Sequence, residues 1–254
     1  MSTFGVLLGK DLTEQWRTRR LLIVVIIFLL LGLSSPLLAY YTPQLVAHTA
    51  GDLQLSVPTP TTADAVDQLL KNLTQIGPFA AILLAMGTVA RELERGTAAF
   101  ILSKPVSRDA FLASKFLALA LLLALAVLVA AIGAYFYTAV IFSRLPLAGF
   151  AAANLLALLL LLAFAAFTFL GSALLGSALP AAGLGFALWV LSGIVGVVPH
   201  AGRFTPLGLG DPARGLALGQ PAAHLGASLA ATLALIALTL AATWLVFRRK
   251  EIES

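Results

Sequence analysis

The chain has 254 residues, of which 60% are hydrophobic and 11% are charged, and its mean hydropathy is +1.00. Soluble domains average roughly 45–50% apolar and 25% charged residues, so this composition excludes a soluble protein and predicts an integral membrane protein. The net charge of +5 does not indicate a nucleic-acid partner, because the basic residues cluster beside apolar runs, where they orient helices in a bilayer. With no cysteine, the chain has neither a disulfide framework nor a thiolate metal site.

The N-terminal segment 1–20 is amphipathic. Its apolar residues recur at helical spacing: Phe4, Leu7, Leu8, Leu12 and Trp16. The pattern predicts a helix that lies in the membrane interface. The alternative is a plain extension of the first membrane span.

Six apolar runs predict six transmembrane helices, because about 20 apolar residues cross roughly 30 Å of hydrocarbon. The predicted spans are 21–41, 72–92, 114–141, 150–175, 182–198 and 225–247. The second is the least defined, since its apolar run covers only 76–90 and follows an amphipathic segment that predicts a short outer helix at 63–73. Pro180 predicts a turn between spans four and five. We therefore expect one all-α transmembrane domain over 1–254.

The distribution of basic residues predicts the orientation. An even number of spans places both termini on one side, together with the segment 91–115. That side carries twelve of the 16 Lys and Arg residues, and the other carries four, namely Lys71, Arg144, Arg203 and Arg214. The positive-inside rule therefore predicts that both termini and the segment 91–115 are cytoplasmic.

The segment 91–115 holds eight of the 27 charged residues and separates spans two and three. Gly96 and Pro105 divide it into short pieces. Phe100 lies in an apolar stretch between charged residues, and exposed apolar residues indicate a contact surface. The segment therefore predicts a docking surface for a soluble protein, although an ordinary positively charged cytoplasmic loop has a similar composition.

Within this segment the residues resemble a known pattern. Glu94, Arg95, Gly96 and Thr97, then Pro105 to Arg108, and finally Lys115 resemble the E-x-G-T, P-x-S-R and K pattern of ABC-2 type transporter permeases. The resemblance extends to the amphipathic N-terminus, with Lys10 and Asp11, and to the six spans.

The resemblance implies an ABC-2 fold, which is the type V exporter-like transmembrane fold, and a homodimer or heterodimer of permeases on two ATPase subunits. A coupling helix in the segment 91–115 would contact the ATPase. The residues that the resemblance places at this contact are Glu94, Arg95, Gly96, Thr97, Phe100, Lys104, Pro105 and Arg108. Helices one and five of this family border the translocation path at the dimer interface, which implies Ser192 and Gly196 there.

Other functions fit the sequence less well. The chain has no G-x-x-x-x-G-K-[ST] phosphate loop, so we expect ATP and Mg²⁺ on a partner subunit and no cofactor or metal on this chain. His48, His200 and His224 are scattered over the predicted outer loops, which disfavours an enzyme. The expected function is the permease subunit of an exporter in the cytoplasmic membrane of a bacterium or archaeon. The alternative is an ion-coupled carrier, or a scaffold that recruits a cytoplasmic protein through residues 91–115.

Overall fold

A computed structural model describes residues 3–49, 59–103 and 106–250. These residues form helices and connecting turns, with no strand among them. Six helical stretches are long and apolar enough to cross a membrane, which confirms the predicted all-α architecture with six spans. The eleven α-helices in the described residues are α1 (Thr3–Arg17), α2 (Arg20–Thr49), α3 (Thr62–Gln75), α4 (Gly77–Ala85), α5 (Ala90–Glu94), α6 (Thr97–Leu102), α7 (Arg108–Ile141), α8 (Leu147–Leu175), α9 (Ala178–Gly196), α10 (Gly210–Ala217) and α11 (Leu225–Arg249).

The predicted N-terminal amphipathic helix is α1, and it packs against α7. Leu7 and Asp11 are buried there, whereas Val6 and Trp16 are exposed. Because Asp11 lies one helical turn after Leu7, the buried face of α1 combines an apolar and a charged residue.

The second span is a continuous run of helical pieces from Thr62 to Glu94, ten residues longer at its start than the predicted 72–92. The predicted amphipathic segment 63–73 is the helix α3, which leads directly into the rest of this span. Its helix α3 buries an apolar face that includes Val66, Leu69 and Leu73. Pro78 lies in the first turn of α4, where its missing N–H has no intrahelical acceptor, so the helical run continues past it.

Other spans also begin before the predicted residues. The helix α7 begins at Arg108 instead of 114, because the Ser107 side chain accepts a hydrogen bond from the Ala110 N–H at 3.1 Å and caps it. The helix α8 ends at Gly176, whose φ is 65°. This left-handed backbone conformation suits glycine. Pro180 lies in the first helical turn of α9 and not in the connection between α8 and α9. The first turn of a helix tolerates a residue without an N–H, because its N–H groups have no intrahelical acceptor.

The helix α8 forms the centre of the molecule. Of the 18 consecutive residues that are most apolar in α8, 61% are buried, against 17% for the corresponding stretch of α11. The helix α8 contacts α4, α9, α10 and α11. The helix α2 lies mainly along α7. The helices α2, α9 and α11 thus present broad apolar faces outward, as expected for contact with lipid or another membrane protein.

The two ends of the bundle differ in structure. The terminal face is formed by α1, α5, α6, the start of α7 and the end of α11. The distal face is formed by the start of α3, residues 142–147 and the segment between α9 and α11. This last segment contains two short 3-10 helices, Gly202–Phe204 and Pro206–Leu209, followed by α10. Arg214 of α10 binds Asp67 of α3 through two guanidinium nitrogens, so the segment is fixed to the second span.

Candidate functional site

The segment 91–115 folds into two short helices and the first turns of α7. Between α5 and α6 the backbone turns at Gly96, whose φ is 68°. A residue with a side chain is strained in this conformation, which explains the glycine in physical terms. The Thr97 hydroxyl closes the turn by donating to the Glu92 carbonyl at 3.3 Å. The helices α5 and α6 therefore form a compact angled unit on the terminal face.

A buried group of charges attaches this unit to its neighbours. The Lys115 ammonium of α7 lies 2.7 Å from a Glu92 carboxylate oxygen of α5 and 3.4 Å from an Asp11 oxygen of α1. Lys10 binds the same Glu92 oxygen at 2.8 Å. The Ser114 hydroxyl donates to the other Asp11 oxygen at 2.9 Å. Helices α1, α5 and α7 thus share one network, which we call the charge cluster: Lys10, Asp11, Glu92 and Lys115.

The charge cluster is electrically balanced. Burial would lower the pKa of the Lys10 ammonium, but the hydrogen bond and charge of Glu92 outweigh burial and raise that pKa. Carboxylate oxygens of Asp11, Glu14 and Glu92 lie within 4.8 Å of one another, an arrangement that resembles a cation site. However, Lys10 and Lys115 already supply the positive charge that a metal ion would provide. The geometry is that of an ion-pair network between helices.

Two further contacts attach the angled unit to the central and fifth spans. The Ser172 hydroxyl of α8 accepts hydrogen bonds from the Val89 and Ala90 N–H groups at 3.2 and 2.9 Å, at the start of α5. A Glu94 carboxylate oxygen accepts from the Ala178 N–H at 3.3 Å, at the start of α9. A carboxylate at a helix N-terminus is favourable because it lies at the positive end of the helix dipole. A displacement of α5 would therefore act directly on α8 and α9.

Arg108 lies apart from the other predicted residues of this site. Its Nη1 donates to the carbonyl oxygens of Phe247, Arg248 and Lys250 at 2.8, 2.9 and 3.0 Å. These carbonyls at the end of α11 have no intrahelical donor, so Arg108 caps this helix. The guanidinium is therefore directed at α11 of the same chain.

The end of α11 is held from a second side. The Lys250 ammonium donates to the carbonyls of Ala173 and Leu174 at 2.9 and 3.2 Å, and burial lowers the pKa of this ammonium. Together with the Arg108 contacts, this contact joins the start of α7 to the ends of α8 and α11. The terminal face is thus a connected polar layer below the apolar bundle.

Phe100 and Arg95 lie on the outer side of the angled unit. The Phe100 side chain is 68% exposed, and Arg95 at the end of α5 is also exposed. A cleft of about 440 Å³ separates α6 from α1 and is lined by Phe100, Ile101, Thr97 and the charge cluster. Lys104 and Pro105, which the sequence also predicts at this site, lie outside the described residues.

Ser192 and Gly196 lie at the distal end of α9, far along the chain from the terminal face. Ser192 is buried and its hydroxyl donates to the Leu188 carbonyl at 2.7 Å, whereas Gly196 is exposed. Both line a distal cavity of about 390 Å³. Their role in a translocation path or dimer interface stays a prediction.

Sequence reasoning missed two of the residues that hold this site together, Glu92 and Ser172. Asp11 and Lys115 belong to the recognised pattern, but their pairing and that of Glu92 require α1, α5 and α7 to meet. The Ser172 hydroxyl caps α5, a contact that depends on where α8 packs and that no local pattern indicates. A charged residue at the start of an apolar span, such as Lys115, was the available signal for a buried partner.

The fold and the connected polar layer define a multi-pass helical membrane protein with a compact angled unit, formed by α5 and α6, on one face. The family described as ABC-2 family transporter protein matches residues 6–252. The chain therefore belongs to this family and is a transporter membrane subunit. It is also similar to the uncharacterized transmembrane protein YxlG of Bacillus subtilis (strain 168), with 27% identity over 260 residues that cover 100% of both chains.

Proposed function

We propose that this chain is the permease subunit of an ATP-binding cassette exporter, and that a separate ATPase subunit docks on the angled unit formed by α5 and α6. ATP and Mg²⁺ would be bound by that partner, since this chain contains no phosphate-loop motif. Family membership implies an ABC-type ATPase partner.

The observation that carries this proposal is the attachment of the angled unit to α1 and to the three spans α7, α8 and α9. The charge cluster ties it to α1 and α7, Ser172 ties it to α8, and Glu94 ties it to α9. A force applied by an ATPase at Phe100 would therefore be transmitted to several spans at once, because buried ion pairs and hydrogen bonds resist separation. An ordinary surface loop would lack such attachments.

The distribution of basic residues supports an orientation in the membrane. Twelve of the 16 basic residues are expected on the terminal face, which favours a cytoplasmic position for the angled unit and for both termini. In this orientation the protein is a subunit of the cytoplasmic membrane of a bacterium or archaeon.

A dimer would provide the translocation path. The helix α9 exposes apolar residues along much of its length, including Val190, Leu191 and Ile194, and α2 exposes a comparable face. Two copies, or this chain and a second permease, would cover these faces and enclose a path beside Ser192 and Gly196. Small residues such as Gly196 allow the close approach of helices in membranes.

The test is purification of the complex with the candidate ATPase. We expect an ATPase encoded beside this chain to co-purify with it, and Phe100→Ala to lower recovery of the ATPase at least fivefold, because Phe100 supplies the exposed apolar contact. The matched control is Trp16→Ala, which removes another exposed aromatic side chain from the terminal face and should leave recovery unchanged.

Two outcomes would contradict the proposal. One is equal recovery of the ATPase with wild-type and Phe100→Ala protein. The other is transport by the purified chain alone on an ion gradient, which would favour the secondary carrier instead.

A further inference from the structure

The distal cavity lies between the end of α9, the two 3-10 helices and the start of α11. Its volume is about 390 Å³, enough for a small ligand or a lipid headgroup. The wall on one side is rigid, because a side-chain carbon added to Gly208 would overlap the Gly202 carbonyl oxygen. A similar carbon on Gly202 would lie 3.0 Å from the Gly196 Cα. These glycines allow backbone to approach backbone and fix the shape of the cavity.

Two polar groups that line this cavity have no hydrogen-bond partner within the described ranges. The Ser228 side chain is 0% exposed, and its Oγ is unpartnered. The Arg203 Nε is likewise buried and unpartnered, while its guanidinium carbon lies 4.9 Å from the Phe204 ring centre. A buried polar group without a hydrogen-bond partner is unfavourable, so both groups favour a ligand in the cavity.

The start of α11 adds further donors. Its N-cap residue is His224, whose φ is 56° and whose side chain makes no capping bond. The N-cap side chain therefore supplies no acceptor for the first N–H groups of this 25-residue helix, and the helix dipole is positive here. Ser228 lies one turn further along the same helix, so its hydroxyl can join these groups on one ligand.

The chemistry of these groups identifies the kind of ligand. The guanidinium N–H and the backbone N–H groups can only donate hydrogen bonds, which requires an acceptor and excludes a cation. Arg203 adds a positive charge, and helix N-termini bind anions. Asp211 also lines the cavity and opposes an anion, so the electrostatic attraction is moderate. His200 and His224 complete the set of titratable residues that line it.

We propose that the distal cavity is an oxyanion site that binds a phosphate group through Arg203, Ser228 and the N-terminus of α11. The phosphate can belong to a phospholipid headgroup or to a water-soluble phosphate compound. The site does not depend on transport or on an ATPase, so it stands or fails separately from the proposed function.

The binding test uses the purified full chain in a phosphate-free, non-ionic detergent, with inorganic phosphate as the probe. We expect saturable binding in the millimolar range by calorimetry, weakened at least tenfold by Arg203→Gln and at least threefold by Ser228→Ala. The control is Arg144→Gln, which removes an exposed arginine near the distal face and should leave binding unchanged. No saturable binding by the wild type, or equal weakening by Arg144→Gln and Arg203→Gln, would overturn the site.

Folding is checked for each variant by size-exclusion profile and thermal unfolding. Arg203→Lys provides a second variant, because it retains the positive charge but lacks the Nε–H, and it should also weaken binding. Wild-type affinity in a folded Arg203→Lys protein would refute the role of Nε.

Native mass spectrometry of protein purified from cells distinguishes the source. A phospholipid retained by the wild type and lost in Arg203→Gln would assign the site to a headgroup. Phosphate binding without a retained phospholipid would assign it to a soluble phosphate compound. Co-purification of an ATPase should be unaffected by Arg203→Gln, which separates this result from a failure of the docking proposal.

Discussion

Lys115 is the residue with the most demanding environment on the terminal face. Its side chain is 7% exposed and lies between the carboxylates of Asp11 and Glu92, which are 10% and 13% exposed. Removing charges from water costs several kcal/mol per ion, and this cost is offset only while every partner is present. The second Glu92 oxygen, Oε2, is buried without a partner among the described residues, which makes the remaining contacts more important.

We predict that Lys115→Met destabilises the protein by about 3 kcal/mol, because it leaves two carboxylates buried with less compensation. Thermal unfolding of the purified protein in detergent should show a lower midpoint for this variant. Lys71→Met, at an exposed lysine, is the control and should leave the midpoint nearly unchanged. Adding Glu92→Gln to Lys115→Met should recover part of the loss, since one unpaired charge is removed. No recovery would mean that Lys115 acts through packing and not through charge.

The charged motif illustrates the limit of sequence reasoning at the scale of residues. The spacing of Glu94, Gly96 and Arg108 identifies the segment, but it does not say where each side chain is directed. Glu94 contacts the start of α9, and Arg108 contacts the end of α11, both distant in sequence. A charge pattern in one segment cannot reveal partners that only the packed bundle brings near. Gly96 was the exception, because a positive φ is a local property of the turn.

At the scale of elements, α2 and α7 pack closely against each other. Gly32 of α2 lies against Ala130 of α7, where a side-chain carbon on Gly32 would overlap the Ala130 carbonyl oxygen. Gly133, one turn later in α7, lies against Leu33 of α2. Small residues allow membrane helices to approach and gain dispersion contacts that lipid would otherwise provide. This pair therefore sets the position of the first span.

We predict that Gly32→Ala lowers stability by about 1–3 kcal/mol, because the added methyl group meets backbone that can move only if the helices separate. Gly9→Ala in α1 is the matched control. No atom lies within 4 Å of the position of its added carbon, and alanine favours a helix, so this variant should be stabilised by up to about 1 kcal/mol. Unfolding midpoints of both proteins provide the measurement. Equal shifts for the two variants would contradict close packing at Gly32.

Hydropathy predicted the number and type of the elements, because a bilayer requires long apolar helices. It did not predict the ends of the second span. Only one face of α3 is apolar, and Asp64 and Asp67 lie on its other face. A span predicted from average hydropathy therefore begins after these residues, later than the helix does. The continuation through Pro78 depends on helix geometry that an average does not contain. The angled shape of α5 and α6 depended likewise on Gly96 and not on composition.

At the scale of the whole molecule, the two faces of the bundle have different construction. The terminal face is connected by charged groups and caps that join α1, α5, α7, α8, α9 and α11. The distal face is held by backbone contacts among glycines, by the Arg214 pair with Asp67 and by a hydroxyl contact at 2.7 Å between Thr62 and Ser143. Such a difference suits a subunit that receives force at one face and binds or releases a ligand near the other.

The assignment of the terminal face to the cytoplasm can be tested directly, because the chain contains no cysteine. Single cysteines at exposed positions, Ser103→Cys on the terminal face and Gln220→Cys on the distal face, would each provide one reactive thiol. Since basic residues are retained in the cytoplasm, we predict that a membrane-impermeant maleimide labels Gln220→Cys in intact right-side-out spheroplasts. Ser103→Cys should be labelled only after the membrane is permeabilised, and the wild type should not be labelled at all. The reverse pattern would place the angled unit outside, where no ATPase could supply ATP-driven force, and would exclude the proposed coupling.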